Sequence, residues 1–342
     1  MSPFEKFAEC ALVSAVIPTR GRPDLLVCAI RSALRQTWRP LEVIVVLDGP
    51  DPATEERLAS LADPRLRVVI LAEISGGCTA RNAGVRAAAG DWIAFLDDDD
   101  EWLPDKIERQ MRATRETSAW FPIITCRLIA RSPTASRVLP PRVYNPAQPV
   151  ADYLFCRSGL GDSGGLMQTS TLLAPRDLLL AVPFRDGLAV HQDWDWIIRV
   201  AAYEGVAISM LAKPLAIWRV EDGRATVGLG LGWQFSLRWV REMRSLISRR
   251  AFSSFIAVQC VWRAKASHAG PIARLKILWA FLFEGRPDQL SSLHFLVFGL
   301  IPATVRRTLR DVFRSDRVPG DSGLRLASAR NPSSALLRKS SH

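Results

Sequence analysis

Short apolar runs recur along the first hundred residues, and each run ends in a polar segment that contains glycine, proline or aspartate. Apolar runs of this length are typical of strands that are buried on both faces. The pattern predicts four strands, at Leu12–Ile17, Val43–Leu47, Leu66–Leu71 and Trp92–Leu96. Between the strands, apolar residues recur every three or four positions, which predicts amphipathic helices.

The predicted helices separate the strands one by one. They are a helix after Asp24, a short helix at Thr54–Leu61, an alanine-rich helix at Thr79–Ala89 that ends at Gly90, and a helix carrying Ile107 and Met111. Four consecutive strand–helix units predict a parallel sheet covered by helices. Ligands bind at the carboxyl ends of the strands in such sheets. The polar residues that follow the strands should therefore lie together, and they are Thr19, Asp48, Ser75 and Asp97.

Four consecutive aspartates, Asp97–Asp100, follow the fourth predicted strand. Carboxylates this close repel one another unless some are protonated or a cation lies among them. Oxygen ligands suit a hard divalent ion such as Mg²⁺ or Mn²⁺. An acidic, solvated loop explains the same run equally well, so the spacing alone does not decide between the two interpretations.

The alternation of strands and helices changes after the fourth unit. Strands are predicted at Ala119–Ile129 and Met167–Leu173, with a Pro- and Arg-rich loop at Ser132–Pro149 between them. The segment Gly159–Gly165 copies the nucleophile motif of trypsin-like proteases and the dinucleotide-binding motif. The protease motif requires a different fold, and the dinucleotide motif must lead from a strand into a helix. We therefore interpret this segment as a flexible glycine-rich loop.

Two further acids lie at a predicted helix start. The segment His191–Val200 begins a helix whose inner face carries Trp196, and Asp193 and Asp195 fall in its first turn. Acidic residues favour helix starts because they cap backbone N–H groups and complement the helix dipole. The position of the two acids is compatible with capping and with catalysis.

The positive charge of the protein is confined to its C-terminal third. Residues 231–342 contain 19 Lys and Arg against 6 Asp and Glu, a net charge of +13, whereas residues 1–230 contain 26 against 28, a net charge of −2. Helices are predicted at 233–243, 251–262, 272–283 and 290–301, and basic residues lie within the first and third of them. The last is strongly apolar and is followed by Arg306, Arg307 and Arg310. Basic amphipathic helices of this kind bind anionic membrane surfaces.

Other partners would explain the same basic pattern. The helices could pack on the sheet domain or on another subunit, and nucleic acid is a weaker alternative because no binding module is recognisable. No run of 18 or more apolar residues is present, so we expect no spanning helix. The six scattered cysteines without a CxxC pair indicate reduced thiols of a cytoplasmic protein. The N-terminus lacks the pattern of a signal peptide.

Five segments in order resemble the motifs of family 2 glycosyltransferases, which have the GT-A fold. They are Val13–Pro23, Val43–Gly49, Ala80–Gly84, Phe95–Lys106 and His191–Trp196. The resemblance covers about residues 12–220 and implies an α/β, Rossmann-like, mostly parallel sheet flanked by helices, with the basic helical region as a C-terminal appendage. The expected parts are a GT-A domain at 1–230, a helical, basic, membrane-associated region at 231–314 and a disordered tail at 315–342.

The resemblance also implies a nucleotide-sugar donor and roles for individual residues. Pro18, Thr19 and Arg20 match the border of the nucleoside pocket. Asp48 matches the aspartate that accepts a hydrogen bond from the base, most often uracil. Arg81 matches a basic residue near the nucleotide.

Within the aspartate run, Asp97–Asp99 match the family's DxD motif. Asp99 is the expected ligand of a Mn²⁺ or Mg²⁺ ion, and Asp97 and Asp98 are expected to contact the donor. Asp100 and Glu101 would lead into the next helix. Asp193 matches the catalytic base that accepts the proton of the acceptor hydroxyl.

The chain departs from the family pattern at three positions. Leu47 replaces the first of two acids, Gln192 replaces a glutamate, and no histidine follows Trp218, where some relatives place one near the metal. These departures leave the ligands of the expected metal incompletely defined.

The resemblance implies a metal-dependent, inverting transfer of a sugar, most often UDP-linked, to a glycan or lipid-linked acceptor in the synthesis of cell-surface polysaccharide or glycoconjugate. Such an enzyme would lie peripherally on the cytoplasmic face of the inner membrane. A non-catalytic nucleotide-sugar-binding protein, a nucleotidyltransferase and a membrane or nucleic-acid adaptor are the alternatives. Neither the sugar nor the acceptor is encoded in a recognisable motif.

Overall fold

The computed structural model describes residues 11–159, 162, 164–220 and 231–300. Part of the predicted glycine-rich loop and the whole of the predicted tail at 315–342 lie outside these residues. The domain bounds at 230 and 314 stay predictions.

The described residues form nine strands, β1 (Val13–Thr19), β2 (Leu41–Leu47), β3 (Leu66–Ile70), β4 (Trp92–Phe95), β5 (Asp100–Trp102), β6 (Phe121–Arg131), β7 (Ser136–Leu139), β8 (Leu173–Pro175) and β9 (Val206–Arg219). Their α-helices are α1 (Pro23–Leu34), α2 (Pro52–Ala59), α3 (Gly77–Ala87), α4 (Lys106–Ala113), α5 (Val150–Phe155), α6 (Arg176–Ala181), α7 (Gln192–Ala201), α8 (Trp233–Glu242), α9 (Arg249–Phe255), α10 (Val261–Ala266), α11 (Pro271–Trp279) and α12 (Gln289–Leu300). Two π-helical turns, at Ile256–Cys260 and Ala280–Glu284, follow α9 and α11, and two 3₁₀ turns lie at Thr114–Glu116 and Thr169–Thr171.

The strands of the described residues form one mixed sheet in the order β3-β2-β1-β4-β8-β6-β9-β5, with β7 paired to β6. The first four strands are parallel, as the sequence predicts. Strand β8 runs antiparallel to β4 and β6, and β9 runs parallel to β6. Thr19 pairs with Leu47, and Val16 pairs with Phe95. This register brings the chain after β1, β2 and β4 to the same edge of the sheet.

The sheet separates two hydrophobic cores because successive side chains of a strand point to opposite faces. Val13, Ala15 and Ile17 enter the core beneath α1 and α4, whereas Val16 enters the other core, with α3 and α7. The second core continues into the C-terminal helices through buried side chains such as Trp239 of α8. The α/β fold with a basic, helical C-terminal region is thus confirmed. Within the described part of the chain, no helix is both long enough and apolar enough to cross a bilayer.

The predicted elements of the middle region need correction. The strand predicted at Met167–Leu173 is a 3₁₀ turn followed by the three-residue strand β8, which is displaced toward the C-terminus. The predicted loop at Ser132–Pro149 contains the edge strand β7. Strands β9 and β5, which pair with each other, are not predicted by any local pattern in the sequence. Strand β5 has only three residues, and the longer β9 is interrupted by a register shift in its pairing with β6, so neither gives a regular local pattern.

The prediction that Gly90 ends a helix is wrong. Helix α3 ends at Ala87, and Gly90 lies in the turn that follows. A Cβ atom on Gly90 would lie 2.5 Å from the carbonyl oxygen of Leu12 and 2.7 Å from Oγ of Ser14. The glycine is therefore required by the close approach of the chain to the start of β1.

Candidate active site

The aspartate run leaves β4 and contacts the residues that follow β1. The Thr19 hydroxyl donates a hydrogen bond of 2.8 Å to Asp98. One nitrogen of Arg22 lies 3.0 Å from a carboxylate oxygen of Asp98 and 2.9 Å from one of Asp99. Gly21 adopts a left-handed conformation with φ of 66°, which glycine adopts without steric cost. Arg22, at the start of α1, thereby comes to lie between the two carboxylates.

Arg81 of α3 joins the aspartate run to the start of α7. Its guanidinium donates to Asp97 at 2.6 Å and to Oε1 of Gln192 at 2.7 Å, and it lies 5.7 Å from the ring centroid of Phe184. The Nε atom of Arg81 is buried, and among the described residues it has no hydrogen-bond partner. Gln192, which replaces the family's usual glutamate, thus accepts a hydrogen bond from Arg81.

Asp100 belongs to the sheet and does not lead into a helix, so that expectation is wrong. It begins β5 and pairs with Trp218 of β9. Its Oδ2 accepts hydrogen bonds from the Ser170 hydroxyl at 2.6 Å and from Nε2 of Gln168 at 2.9 Å. Burial and the nearby charge of Asp97 raise the pKa of Asp100 well above its usual range. Ser170 also accepts a hydrogen bond from the backbone N–H of Asp97, 3.0 Å away.

Asp193 lies in the first turn of α7, close to the Arg81 group. The Thr169 hydroxyl, buried in the 3₁₀ turn, donates a hydrogen bond to its carboxylate. Burial raises the pKa of Asp193, and the charge of Asp97 adds to this, while the Arg81 guanidinium and the Thr169 hydroxyl oppose it. The net effect is a raised pKa. A carboxylate whose pKa is shifted toward neutrality is a better proton acceptor at physiological pH.

Asp195, two residues further on, has a different environment. Its side chain is fully buried and lies 2.8 Å from Nε of Arg199 and 3.1 Å from a guanidinium nitrogen of Arg185. The indole N–H of Trp239 donates to it at 3.0 Å. Asp195 is therefore a structural anchor that ties α7 to α8.

Asp48 follows β2 and is also buried. Its carboxylate accepts hydrogen bonds from the backbone N–H of Ser75 at 2.7 Å and of Gly76 at 3.0 Å. Gly76 precedes α3, which carries Arg81. Asp48 thus holds the loop that begins this helix, and its contact with a base stays a prediction.

The other residues predicted at the nucleoside pocket lie at the end of β1. Pro18 is half-buried and pairs with Val46. Arg20 is exposed, whereas Arg22, two residues later, contacts the aspartates. Binding of a nucleotide by Pro18 and Arg20 remains a prediction.

The position after Trp218 is filled by an arginine in this chain. Arg219 forms an ion pair with Glu101, and its Nε lies 3.0 Å from the carboxylate. Glu101 is therefore engaged across the β5–β9 pair, where some relatives were expected to place a histidine near the metal.

The donor atoms of the aspartate run fit a hard divalent cation. Among the described residues, no group of three or more His, Cys, Asp or Glu side chains is arranged to enclose an ion. Mg²⁺ nevertheless binds through one or two carboxylates and completes its coordination with water and substrate phosphates. Asp97 and Asp99 would supply such carboxylates, because both are only partly buried. The Oδ1 atom of Asp100, in the same run, is buried and has no side-chain hydrogen-bond donor among the described residues.

Three polar residues that shape the site were not among the predicted site residues. Arg22 bridges Asp98 and Asp99, Thr169 holds Asp193, and Ser170 holds Asp100. Thr169 and Ser170 were assigned to a predicted strand. Three consecutive hydroxyl residues beside a strand favour a turn, and this signal could have indicated their position.

The chain matches the model of glycosyl transferase family 2 over residues 14–138. It is 27% identical over 287 residues to the amylovoran biosynthesis glycosyltransferase AmsB of Erwinia amylovora, an alignment that spans 81% of this chain and 92% of AmsB. It is 32% identical over 100 residues to the UDP-Glc:alpha-D-GlcNAc-diphosphoundecaprenol beta-1,3-glucosyltransferase WfgD of Escherichia coli, spanning 29% of this chain and 40% of WfgD.

Solved structures show the same fold at low sequence identity. The structure of Staphylococcus aureus TarS 1–349 in complex with UDP-GlcNAc superposes with a TM-score of 0.55 at 15% identity, covering 89% of this chain and 92% of that chain. The mannosyltransferase PcManGT of Pyrobaculum calidifontis, in complex with GDP-Man and Mn²⁺, superposes with a TM-score of 0.52 at 15% identity, covering 89% of this chain and 88% of that chain.

The matched family segment contains β1–β4 and the aspartate run, the AmsB glycosyltransferase aligns with 81% of this chain, and the TarS structure shares its fold. Residues 14–138 of the chain therefore match the family 2 glycosyltransferases, and the chain has the GT-A-type fold of the solved glycosyltransferases.

Proposed function

We propose that the protein transfers a hexosyl group from a UDP-linked sugar to a hydroxyl of a glycan or lipid-linked acceptor, with inversion and with the help of a divalent cation. One observation carries this proposal. Arg81 donates to Asp97 at 2.6 Å and to Gln192 at 2.7 Å, so a buried cation joins the end of β4 to the helix turn that presents Asp193. The Arg81 guanidinium, which would stabilise the leaving group, and the Asp193 carboxylate, which would act as the base for the acceptor, thereby lie in one site.

In the proposed reaction, Asp193 accepts the proton of the acceptor hydroxyl as its oxygen bonds to the anomeric carbon. The bond from that carbon to the donor's phosphate oxygen breaks, and its electron pair leaves with the nucleoside diphosphate. Because the attack comes from the face opposite the leaving group, one displacement inverts the anomeric configuration. Thr169 orients the Asp193 carboxylate through its hydrogen bond.

Arg81 would stabilise the negative charge that develops on the leaving diphosphate. It is buried, already oriented by two hydrogen bonds, and keeps a buried Nε–H without a partner among the described residues. Fixed cations in a poorly solvated site stabilise developing charge without reorganisation. Asp97 and Asp99 would hold a Mg²⁺ or Mn²⁺ ion, which when bound supplies further charge for the diphosphate.

The proposal of a uridine donor is supported by the names of similar proteins and by the position of Asp48. The TarS structure contains UDP-GlcNAc, and the WfgD name specifies UDP-Glc. The buried carboxylate of Asp48 at the edge of the sheet suits recognition of a base N–H. The PcManGT structure contains GDP-Man, so guanosine donors belong in the same screen.

A role in polysaccharide synthesis fits the printed names of the relatives. AmsB is named for amylovoran biosynthesis, and the acceptor in the WfgD name is a diphosphoundecaprenol. We infer a lipid-linked or polymeric acceptor at the cytoplasmic face of a membrane, reached by a peripheral enzyme.

The decisive experiment is a screen of nucleotide sugars for released nucleoside diphosphate, with and without chelator. We expect hydrolysis of a uridine donor that stops with chelator and returns with Mn²⁺ or Mg²⁺. Transfer that continues at the same rate in the presence of the chelator would contradict the proposed metal dependence. Pyrophosphate release would indicate a nucleotidyltransferase. Thermal stabilisation by a donor without any product would indicate a binding protein.

A further inference from the structure

Helix α11 and the π-helical turn after it form one continuous helical segment, residues 271–284, that is apolar on two sides. One side carries Ile277, Ala280 and Phe281, which are buried in the core shared with the catalytic domain. The other side points to solvent. The segment is about 21 Å long at the usual helical rise, so its outer side presents an extended strip and not a single exposed residue.

The outer side consists of large apolar residues at helical spacing. The α11 face, as we call it, is formed by Ile272, Leu275, Trp279 and Phe283, which are 71%, 66%, 58% and 60% exposed. The rings of Trp279 and Phe283 are in contact, with centroids 4.3 Å apart. Soluble proteins rarely expose a contiguous strip of this kind unless it binds something.

Cationic side chains border the α11 face. A groove between α8 and α11 is lined by Leu275 and Trp279 together with Arg238, Arg241 and Lys276. Arg241 is held in place by Glu284, with nitrogen–oxygen distances of 2.9 and 2.5 Å. An apolar strip with an aromatic pair and a cationic border is the arrangement by which a helix lies in the interface of an anionic membrane.

The charge of this region favours a membrane over a second copy of the chain. Residues 231–300 contain ten Lys and Arg against three Asp and Glu. A twofold contact through the α11 face would bring two such positive surfaces together, which is unfavourable. Anionic lipids instead attract each nearby Lys or Arg by about 1 kcal/mol.

We propose that the α11 face is the membrane-docking surface of this glycosyltransferase and that it inserts Trp279 and Phe283 between the lipids of an anionic bilayer. This proposal builds on the proposed function, since it supplies the surface through which the enzyme meets a lipid-linked acceptor. Helix α12 adds a second exposed apolar row, Leu293, Leu296 and Leu300, which are 41%, 55% and 76% exposed.

The test is flotation of the full chain with vesicles of phosphatidylcholine alone and of phosphatidylcholine mixed equally with phosphatidylglycerol. We expect binding to the mixed vesicles that weakens with added salt. The double variant Trp279→Glu/Phe283→Glu should lose at least about tenfold in partition, because two inserted aromatic side chains are replaced by anions. Trp279→Ser, which adds no charge, should reduce the partition into vesicles by a smaller factor.

Matched controls come from exposed residues elsewhere. Trp120, just before β6, is 65% exposed, so Trp120→Glu places the same change outside the α11 face and should leave flotation unchanged. Lys276→Glu should weaken binding to anionic vesicles by about tenfold or more, whereas Arg39→Glu, in the loop before β2, should not.

Three outcomes would overturn the proposal. The full chain could fail to float with anionic vesicles. The Trp279→Glu/Phe283→Glu variant could bind as well as Trp120→Glu, which would place the contact elsewhere. The chain could form a dimer that this double variant dissociates, which would make the α11 face a contact between copies. Donor hydrolysis, measured without vesicles on the same variants, separates the two proposals. A wild-type chain that hydrolyses the donor but does not float counts against docking alone, and a wild-type chain that floats but hydrolyses no donor counts against the proposed function alone.

Discussion

Asp193 and Asp195 stand in the same helical turn but in different regions of the molecule. Asp193 faces the ends of the parallel strands, where the hydroxyl and the backbone N–H of Thr169 hold it and the charge of Arg81 is close. Asp195 faces the opposite side of α7, where two arginines and the Trp239 indole surround it. The same residue type, two positions apart, thus has two environments, which fit the proposed proton transfer at Asp193 and a structural role at Asp195.

The difference lies in how completely the negative charge is compensated. Asp195 has a partner for each oxygen, so its negative charge is compensated within the fold. Among the described residues, Asp193 forms no ion pair as close as those of Asp195, and desolvation raises its pKa despite the nearby charge of Arg81. Incomplete compensation destabilises the charged form and is a feature of groups that exchange protons.

The strongest test of the comparison is Asp193→Asn. Asparagine cannot accept the proton, so we expect turnover to fall between about a hundredfold and ten-thousandfold. The free energy of unfolding should stay the same or rise, because a poorly compensated buried charge is removed. Steady-state kinetics and urea unfolding measure the two effects. Near-normal turnover would exclude Asp193 as the base.

The reciprocal variant is Asp195→Asn. It removes the negative charge that Arg185 and Arg199 share, and breaking a buried pair in this way costs about 3 kcal/mol of unfolding free energy. Turnover per folded molecule should remain close to that of the wild type. Urea unfolding and kinetics at a temperature where the variant is folded check the prediction. A large loss of turnover with normal stability would contradict the structural role.

His191, the residue before α7, tests how this helix start responds to pH. Its ring accepts or donates a 2.9 Å hydrogen bond with Ser236 and stacks on Trp194. Burial, with the nearby Arg263 guanidinium, lowers the pKa of His191 from 6.5 to about 3. Above the unfolded value both states are neutral. Below it only the unfolded state takes up the proton, so stability falls as the pH drops toward the folded value.

We therefore expect the free energy of unfolding to fall by up to about 1.4 kcal/mol for each pH unit below the unfolded pKa of His191. His191→Asn keeps a residue that tolerates the left-handed backbone at this position (φ 66°) and should flatten this dependence. His268, which is exposed and also left-handed (φ 50°), is the matched control, and His268→Asn should behave like the wild type. Urea unfolding at neutral and acidic pH measures this dependence. If the unfolding free energies of His191→Asn and wild type changed equally with pH, the prediction would be refuted.

The smallest expected effect is that of Thr169→Val. Valine has nearly the same shape but cannot donate to Asp193, so the charged carboxylate loses a stabilising hydrogen bond and its pKa rises further. The acidic limb of the kcat–pH profile should move up by about one unit. Thr171→Val, in the same 3₁₀ turn but bonded to the Gln168 carbonyl, should leave the profile in place. If the acidic limb of the kcat–pH profile of Thr169→Val did not move, the Thr169 hydroxyl would not set the pKa of the proposed base.

Much of the N-terminal half could be predicted from the sequence because its signals are local. Apolar runs and helical spacing predicted β1–β4 and α1–α4 to within a few residues, and the polar ends of these strands predicted where Thr19, Asp48 and Asp97 would meet. In a parallel sheet the strand ends share one edge by geometry alone, so no knowledge of packing was needed.

The structure of the C-terminal half was harder to predict from the sequence, for physical reasons. Strands β5, β8 and β9 are short or interrupted, and their partners are distant in sequence, so their pairing depends on contacts that no local pattern records. The basic character of the helices after residue 231 was evident from charge, but which side of each helix is buried was not. Only the packing of Ile277 and Phe281 into the core leaves Trp279 and Phe283 outside.

By itself, the sequence determined the fold class, the edge of the sheet where the site lies and the acids that could serve it. The tertiary structure decided what each acid does. It brought Arg22 between Asp98 and Asp99, Arg81 between Asp97 and Gln192, and two arginines onto Asp195. Residue type and spacing state that a carboxylate is present, but its partners come from elements far away in the chain, and those partners decide whether it holds a proton, a cation or the fold.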